Sequence, residues 1–96
     1  MQNLAARAFS ARLAFWTSKG LSGQQLYERL AADDELPMVF DSVDVAAITG
    51  VSPLAVKKAR SRKTGPSFIR LSAKAVRYNR ADLCSYLASK YVRVAA

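Results

Sequence analysis

Apolar side chains recur at three- and four-residue steps through residues 3–19. Leu4, Ala8, Ala11 and Phe15 or Trp16 share one side, and Phe9 and Leu13 widen the stripe. That period predicts a helix, which Gly20 ends. Ser22 opens a second helix, with Gln25 three residues on in a capping-box pattern. Leu26, Tyr27 and Leu30 give it an apolar side. Asp33-Asp34-Glu35 interrupts the pattern as a polar loop, and Pro37 imposes an extended stretch through Met38, Val39 and Phe40. Asp41 caps a third helix running to about Thr49, with Asp44 at its third position and Val45, Ala46 and Ile48 turned inward. Gly50 supplies the positive φ of a sharp stop. Ser52 caps a fourth helix that begins at Pro53 and runs to about Ser61, with Val56 and Ala59 facing inward. The period then changes. Phe68-Ile69-Arg70-Leu71 and Val76-Arg77-Tyr78 read as short strands joined by Ser72-Ala73-Lys74-Ala75, a length suited to a hairpin. Asn79 caps a last helix, with Asp82 three residues later and Leu83, Tyr86, Leu87 and Tyr91 on its apolar side. The predicted fold is mainly α with a small β-hairpin. A helical N-terminal arm, residues 1–37, precedes a domain of residues 38–96.

Composition narrows the chemistry. Of 96 residues 51% are hydrophobic, an ordinary globular share, so a wholly disordered chain is not expected. A single cysteine excludes an intrachain disulfide, and with no histidine it also excludes the common zinc sites. Catalysis built on His, Cys–His or Ser–His is excluded as well. No apolar run approaches the roughly 18 residues needed to cross a bilayer. No cofactor is expected. Fifteen Lys and Arg against seven Asp and Glu leave a formal charge of +8. The excess is not spread evenly. In residues 1–40, Arg7, Arg12, Lys19 and Arg29 balance Glu28, Asp33, Asp34 and Glu35. The stretch from Ser52 to Ala81 holds Lys57, Lys58, Arg60, Arg62, Lys63, Arg70, Lys74, Arg77 and Arg80 and no acid at all. Such a stretch is an electrostatic footprint rather than a mixed solvated face, and its natural partner is a polyanion.

Two short helices joined by a tight turn with glycine form a helix-turn-helix pattern. Here the turn is Thr49-Gly50-Val51-Ser52, with Val51 expected to plug the angle between the helices. Around that turn the chain resembles a known family. Residues 41–90 are similar to the winged helix-turn-helix of excisionases (recombination directionality factors) and related small regulators of the MerR superfamily. The matching pieces are Val45-Ala46-Ala47-Ile48-Thr49-Gly50-Val51-Ser52-Pro53, Gly65-Pro66-Ser67-Phe68-Ile69-Arg70-Leu71, and Val76-Arg77-Tyr78-Asn79-Arg80-Ala81-Asp82-Leu83. The resemblance implies a recognition helix in the major groove and a hairpin wing on the neighbouring minor groove or backbone. It also implies a role in excising a mobile element or in transcription control. The implied setting is the bacterial cytoplasm, at the nucleoid when DNA is bound. Two departures stand out. The family carries an aromatic residue late in the recognition helix where this chain has Ala59, so Phe68 or an aromatic from the arm is expected to fill that space. Polar residues usually follow the helix's proline, whereas this chain has Leu54 and Ala55. Apolar groups there contact thymine methyls but make no bidentate hydrogen bonds, which shifts weight to shape readout.

Site roles follow. In the recognition helix, Ser52 is a cap and a phosphate donor at the helix N-terminus. Leu54, Ala55, Lys57, Lys58 and Arg60 are the candidate base and phosphate contacts. Arg62 and Lys63 fall in the connecting loop, facing the backbone. Arg70, Ser72, Lys74 and Arg77 belong to the wing, where alternation forbids all from facing DNA. Lys74 at the tip is the minor-groove candidate, and Tyr78 rather than Arg77 faces the core. Cys84 is expected to be exposed and without a chemical role. If six bases met phosphates, the log–log salt slope would be about −5.

The arm lies outside the resemblance. Phe9, Leu13, Phe15 and Trp16 are a dense aromatic and apolar set, expected either as extra core or as a self-association surface that lines copies up along DNA. Acid-free up to Glu28, the arm also has the composition of a transit peptide, a reading the bacterial or phage resemblance disfavours. It has too few cations for a membrane-surface helix. Three functions remain in view. The first is a double-stranded DNA-binding factor that bends DNA cooperatively and directs a site-specific recombinase (an integrase) toward excision. The second is a small transcriptional regulator, and the third is a protein-interaction module without DNA binding. An enzyme is not expected, since the only carboxylate cluster lies beside no other catalytic residue type.

Overall fold

Asn3 starts helix α1 (Leu4–Ser18) by accepting the Ala6 amide at 2.8 Å, in a computed structural model that describes residues 3–92 and Val94. Helix α2 (Gly23–Ala31) follows, then strand β1 (Val39–Phe40), helices α3 (Ser42–Thr49) and α4 (Pro53–Arg62), strands β2 (Ile69–Arg70) and β3 (Val76–Asn79), and helix α5 (Arg80–Ser89). The result is a mainly helical fold with one small antiparallel sheet, ordered β1-β3-β2. The extended stretch after Pro37 becomes a third strand. It pairs Phe40 with Tyr78 and Val39 with Asn79. The predicted hairpin pairs Ile69 with Arg77 and Arg70 with Val76. Among the described residues, no helix is long and apolar enough to cross a membrane.

The helix ends show which local signals operate. Asp41 and Asp44 form a reciprocal capping box on α3, with bonds of 2.8 and 3.1 Å. Ser52 Oγ accepts the Ala55 amide, and Pro53 begins α4. Ser22 and Asn79 hold the expected cap positions but make no side-chain cap bond. The chain enters α2 through Gly23 at φ +59°, which carries the Ser22 hydroxyl away from the first-turn amides. Asn79 is still in register with Val39, so strand geometry sets its side-chain direction.

Residues of both the arm and the domain share one core. Phe9, Leu26, Leu30 and Leu36 pack in it with Phe40, Val45, Ala46, Val56, Val76, Tyr78, Leu83 and Cys84. Helix α2 lies along α5, and α1 lies against α2 and α3. The loop of residues 32–37 is mostly exposed but is pinned by two buried residues, Asp33 and Leu36. Asp33 is buried there and accepts bonds from Arg12 Nε (2.7 Å), Trp16 Nε1 (2.7 Å) and the Glu35 amide (2.9 Å). Arg80 donates from Nε to the Ala31 carbonyl and from Nη1 to the Leu36 carbonyl, both at 2.9 Å. It thereby satisfies the last carbonyl of α2, at Ala31, and one in the loop that follows.

Candidate nucleic-acid interface

The turn between α3 and α4 is set by backbone geometry. Gly50 sits at φ +75°, and the Gly50 and Val51 amides both donate to the Ala46 carbonyl, at 2.9 and 3.1 Å. Val51 does not plug the angle as expected. It is 47% exposed and only lines a small cavity of about 140 Å³ beneath the turn, with Ala55, Val56, Ala59, Pro66 and Tyr86 among its neighbours. That cavity lies where an aromatic from late in α4 was expected to be replaced by Phe68 or by the arm. Its lining includes Tyr86 of α5 but neither Phe68 nor a residue of the arm. The backbone at Gly65 closes directly on α4 instead, so near that a Cβ at Gly65 would stand 3.1 Å from the Ala59 Cβ.

Val56 is the buried residue of α4. Leu54, Ala55, Lys57 and Lys58 are exposed, and Leu54 reaches 59%. Arg62 ends the helix rather than lying in a loop, and Lys63 is its cap in the left-handed region at φ +57°. Both side chains are exposed. Arg60, a candidate base or phosphate contact, is partly buried and held at one nitrogen. Its Nη1 donates to Ser42 Oγ and to Tyr78 Oη, both at 3.0 Å, which fixes the guanidinium against the sheet.

In the hairpin, Ser72 is held by its own turn. Its Oγ accepts the Lys74 and Ala75 amides at 3.4 and 3.2 Å. Lys74 is exposed at the tip. The register puts Arg70 opposite Val76 and Arg77 opposite Ile69, so the two arginines leave opposite faces. Tyr78 is fully buried, as expected from the alternation, while Arg77 folds back to its neighbouring Val76 carbonyl. Between α4 and β2 the chain forms an open cleft of about 460 Å³ lined by Arg60, Lys63, Arg70 and Phe68 with the Gly65–Ser67 backbone. The Arg60 and Arg70 guanidiniums stand 6.0 and 5.6 Å from the Phe68 ring centre.

Comparison with protein-family models, curated proteins and solved structures returned no match. Six of the nine basic residues between Ser52 and Ala81 are exposed: Lys57, Lys58, Arg62, Lys63, Arg70 and Lys74. Arg80 is not available, being buried on the Ala31 and Leu36 carbonyls with Asp34 at 3.6 Å. One signal for this was present in the chain. A cation in the first turn of a helix opposes the helix dipole and calls for a partner elsewhere.

The arm takes the extra-core alternative. Phe9 is 5% exposed and sealed in the core, Leu13 and Trp16 pack against it, and Trp16 is tied to Asp33. Phe15, at 39%, is the most exposed of the four and lies under the Arg12 and Lys19 side chains, while Leu13 and Trp16 are partly buried. Cys84 is likewise buried rather than exposed, at 1%. Burial pushes its thiol up to about 11, against a smaller opposing pull from Arg80. Its place on α5 faces the core because α2 covers that side.

Proposed function

We propose that this chain binds double-stranded DNA as a winged helix-turn-helix protein, with α4 in the major groove and the β2–β3 hairpin as the wing. The observation that carries the reading is the acid-free run from Ser52 to Ala81, six of whose cations stay exposed on and around α4 and the hairpin. The capped, solvent-facing start of α4 supports it, since a major groove is read from that end of a recognition helix. The resemblance of residues 41–90 to excisionases gives the reading its biological form. The protein is then a non-catalytic architectural factor of a mobile element, bending DNA so that a site-specific recombinase favours excision.

Fluorescence anisotropy across a salt series tests this, with one duplex from the region around its own gene and the nearby element junction and one scrambled duplex. Six phosphate contacts give a log–log slope of about −5 on both duplexes, with tighter and stepwise binding to the first. A slope shallower than about −2 removes the interface. In an excision assay with the cognate integrase, added protein raises the excised product. An unchanged product removes the recombination role and leaves DNA binding to be explained by promoter control.

A further inference from the structure

Helix α4 accounts for the major groove, yet the cleft between its last turn and β2 has a chemistry of its own. Its volume, about 460 Å³, falls in the range of small-ligand sites. Three of its lining residues are cations, Arg60, Lys63 and Arg70, and none is an acid. No carboxylate pairs with any of the three among the described residues. Arg60 is the distinctive element. Both of its bonds leave from Nη1, to Ser42 Oγ and to the buried Tyr78 Oη, and Nε and Nη2 make no hydrogen bond among the described residues. A guanidinium held at one nitrogen keeps its remaining N–H groups for an acceptor and loses little rotamer freedom on binding. Phe68 sets the spacing between Arg60 and Arg70.

We propose that this cleft is a phosphate-binding site, with Arg60 as its fixed donor and Lys63 and Arg70 as flanking cations. The inference deepens the DNA reading, because a duplex backbone and a free nucleotide offer the same group. The negative end of the α4 dipole opposes an anion here, but it amounts to about half a charge. The Ala59 carbonyl is already taken by the Thr64 amide and the Arg60 carbonyl by the Lys63 amide. Three full positive charges outweigh the remainder.

NMR on the full chain tests it, with inorganic pyrophosphate as one probe and a short duplex as the other. The Arg60 Nε–H and Phe68 ring signals shift and saturate with pyrophosphate. Arg60→Lys keeps the charge but loses the planar fork, and lowers pyrophosphate affinity about tenfold. Should that variant unfold for want of its Ser42 and Tyr78 bonds, the pair Lys63→Asn with Arg70→Ser replaces it. Both positions are exposed, and Asn tolerates the left-handed φ of Lys63. That pair makes the duplex salt slope shallower by about 2, whereas Arg7→Ser with Lys19→Ser does not change it. Pyrophosphate shifts that never saturate and spread over Lys57 and Lys58 overturn the site. Saturation by pyrophosphate with no duplex binding upholds the site for a free nucleotide and removes the DNA reading. Duplex binding by anisotropy that leaves Arg60 and Phe68 unshifted, without pyrophosphate saturation, overturns the site and keeps the DNA reading.

Discussion

Asp33 accepts bonds from Arg12, Trp16 and the Glu35 amide, so one carboxylate ties α1 to the loop after α2. Burial alone would push its carboxyl up. The hydrogen bonds and the Arg12 charge outweigh burial and hold it below its ordinary value of 3.8. A group whose pKa is depressed on folding stabilises the fold while ionised. That contribution is complete above 3.8 and is lost as the pH falls below it. Asp33→Asn should cost about 2 kcal/mol by urea unfolding at neutral pH, and the variant's midpoint should fall less steeply than the native one on the acid side of 3.8. At the start of α4 the exposed Leu54 and Ala55 predict readout of thymine methyls. Replacing thymine by uracil in the bound duplex should weaken binding about fourfold per methyl contacted, at about 0.8 kcal/mol each. Leu54→Ser should shrink that difference by the share of the methyls Leu54 contacts, leaving that of Ala55. Equal affinity of the native protein for the two duplexes would remove the methyl contact.

Among the elements, the α3–α4 pair depends on one backbone angle and on one close approach. Gly50 needs φ +75°, while a Cβ added there meets nothing within 4 Å. Gly50→Ala therefore costs backbone strain and no clash. We expect a loss of about 1 kcal/mol in urea unfolding, with duplex affinity unchanged wherever the variant is folded. A large loss of affinity in the folded variant would mean that the turn itself touches DNA. The close approach is Gly65 on Ala59. It explains why a small residue late in α4 suits this chain although the resembling family has an aromatic. At Gly65 the loop comes down onto Ala59, and a small cavity remains on the side of Ala59 toward Tyr86.

For the whole molecule, the division into arm and domain meets a shared core. Removing residues 1–36 takes away Phe9, Leu26, Leu30 and Leu36 and bares the α5 face that holds Leu83 and Cys84. The remaining chain of residues 37–96 should lose its cooperative thermal transition by circular dichroism. Cys84, protected in the full chain, should then alkylate at the rate of an unfolded thiol. A truncated chain that melts cooperatively and still shields Cys84 would make the arm an appendage. Electrostatics also changes at this scale. Of the acid-free basic run, Arg80 is buried with Asp34 at 3.6 Å and withdrawn from the surface, while Arg60 is anchored to the neutral hydroxyls of Ser42 and Tyr78 and keeps its charge.

Much of the chain is legible from residues a few positions apart. The Asp41–Asp44 box, the Ser52–Pro53 start, the Gly50 stop, the hairpin length and the inward Tyr78 all rest on bonds or alternation within about four residues, and those rules hold wherever the segment lies. The clustering of charge between Ser52 and Ala81 is likewise a property of the chain alone. Tertiary structure decided which of those cations are held in place, since the partners of Arg60 lie 18 positions away and those of Arg80 lie 49 and 44 away. It also made the Pro37 stretch a third strand, sealed Phe9 and Cys84 in the core, and formed the cleft between α4 and β2. Each of these depends on which surfaces meet across the fold, and no local period of hydrophobic and polar residues carries that information.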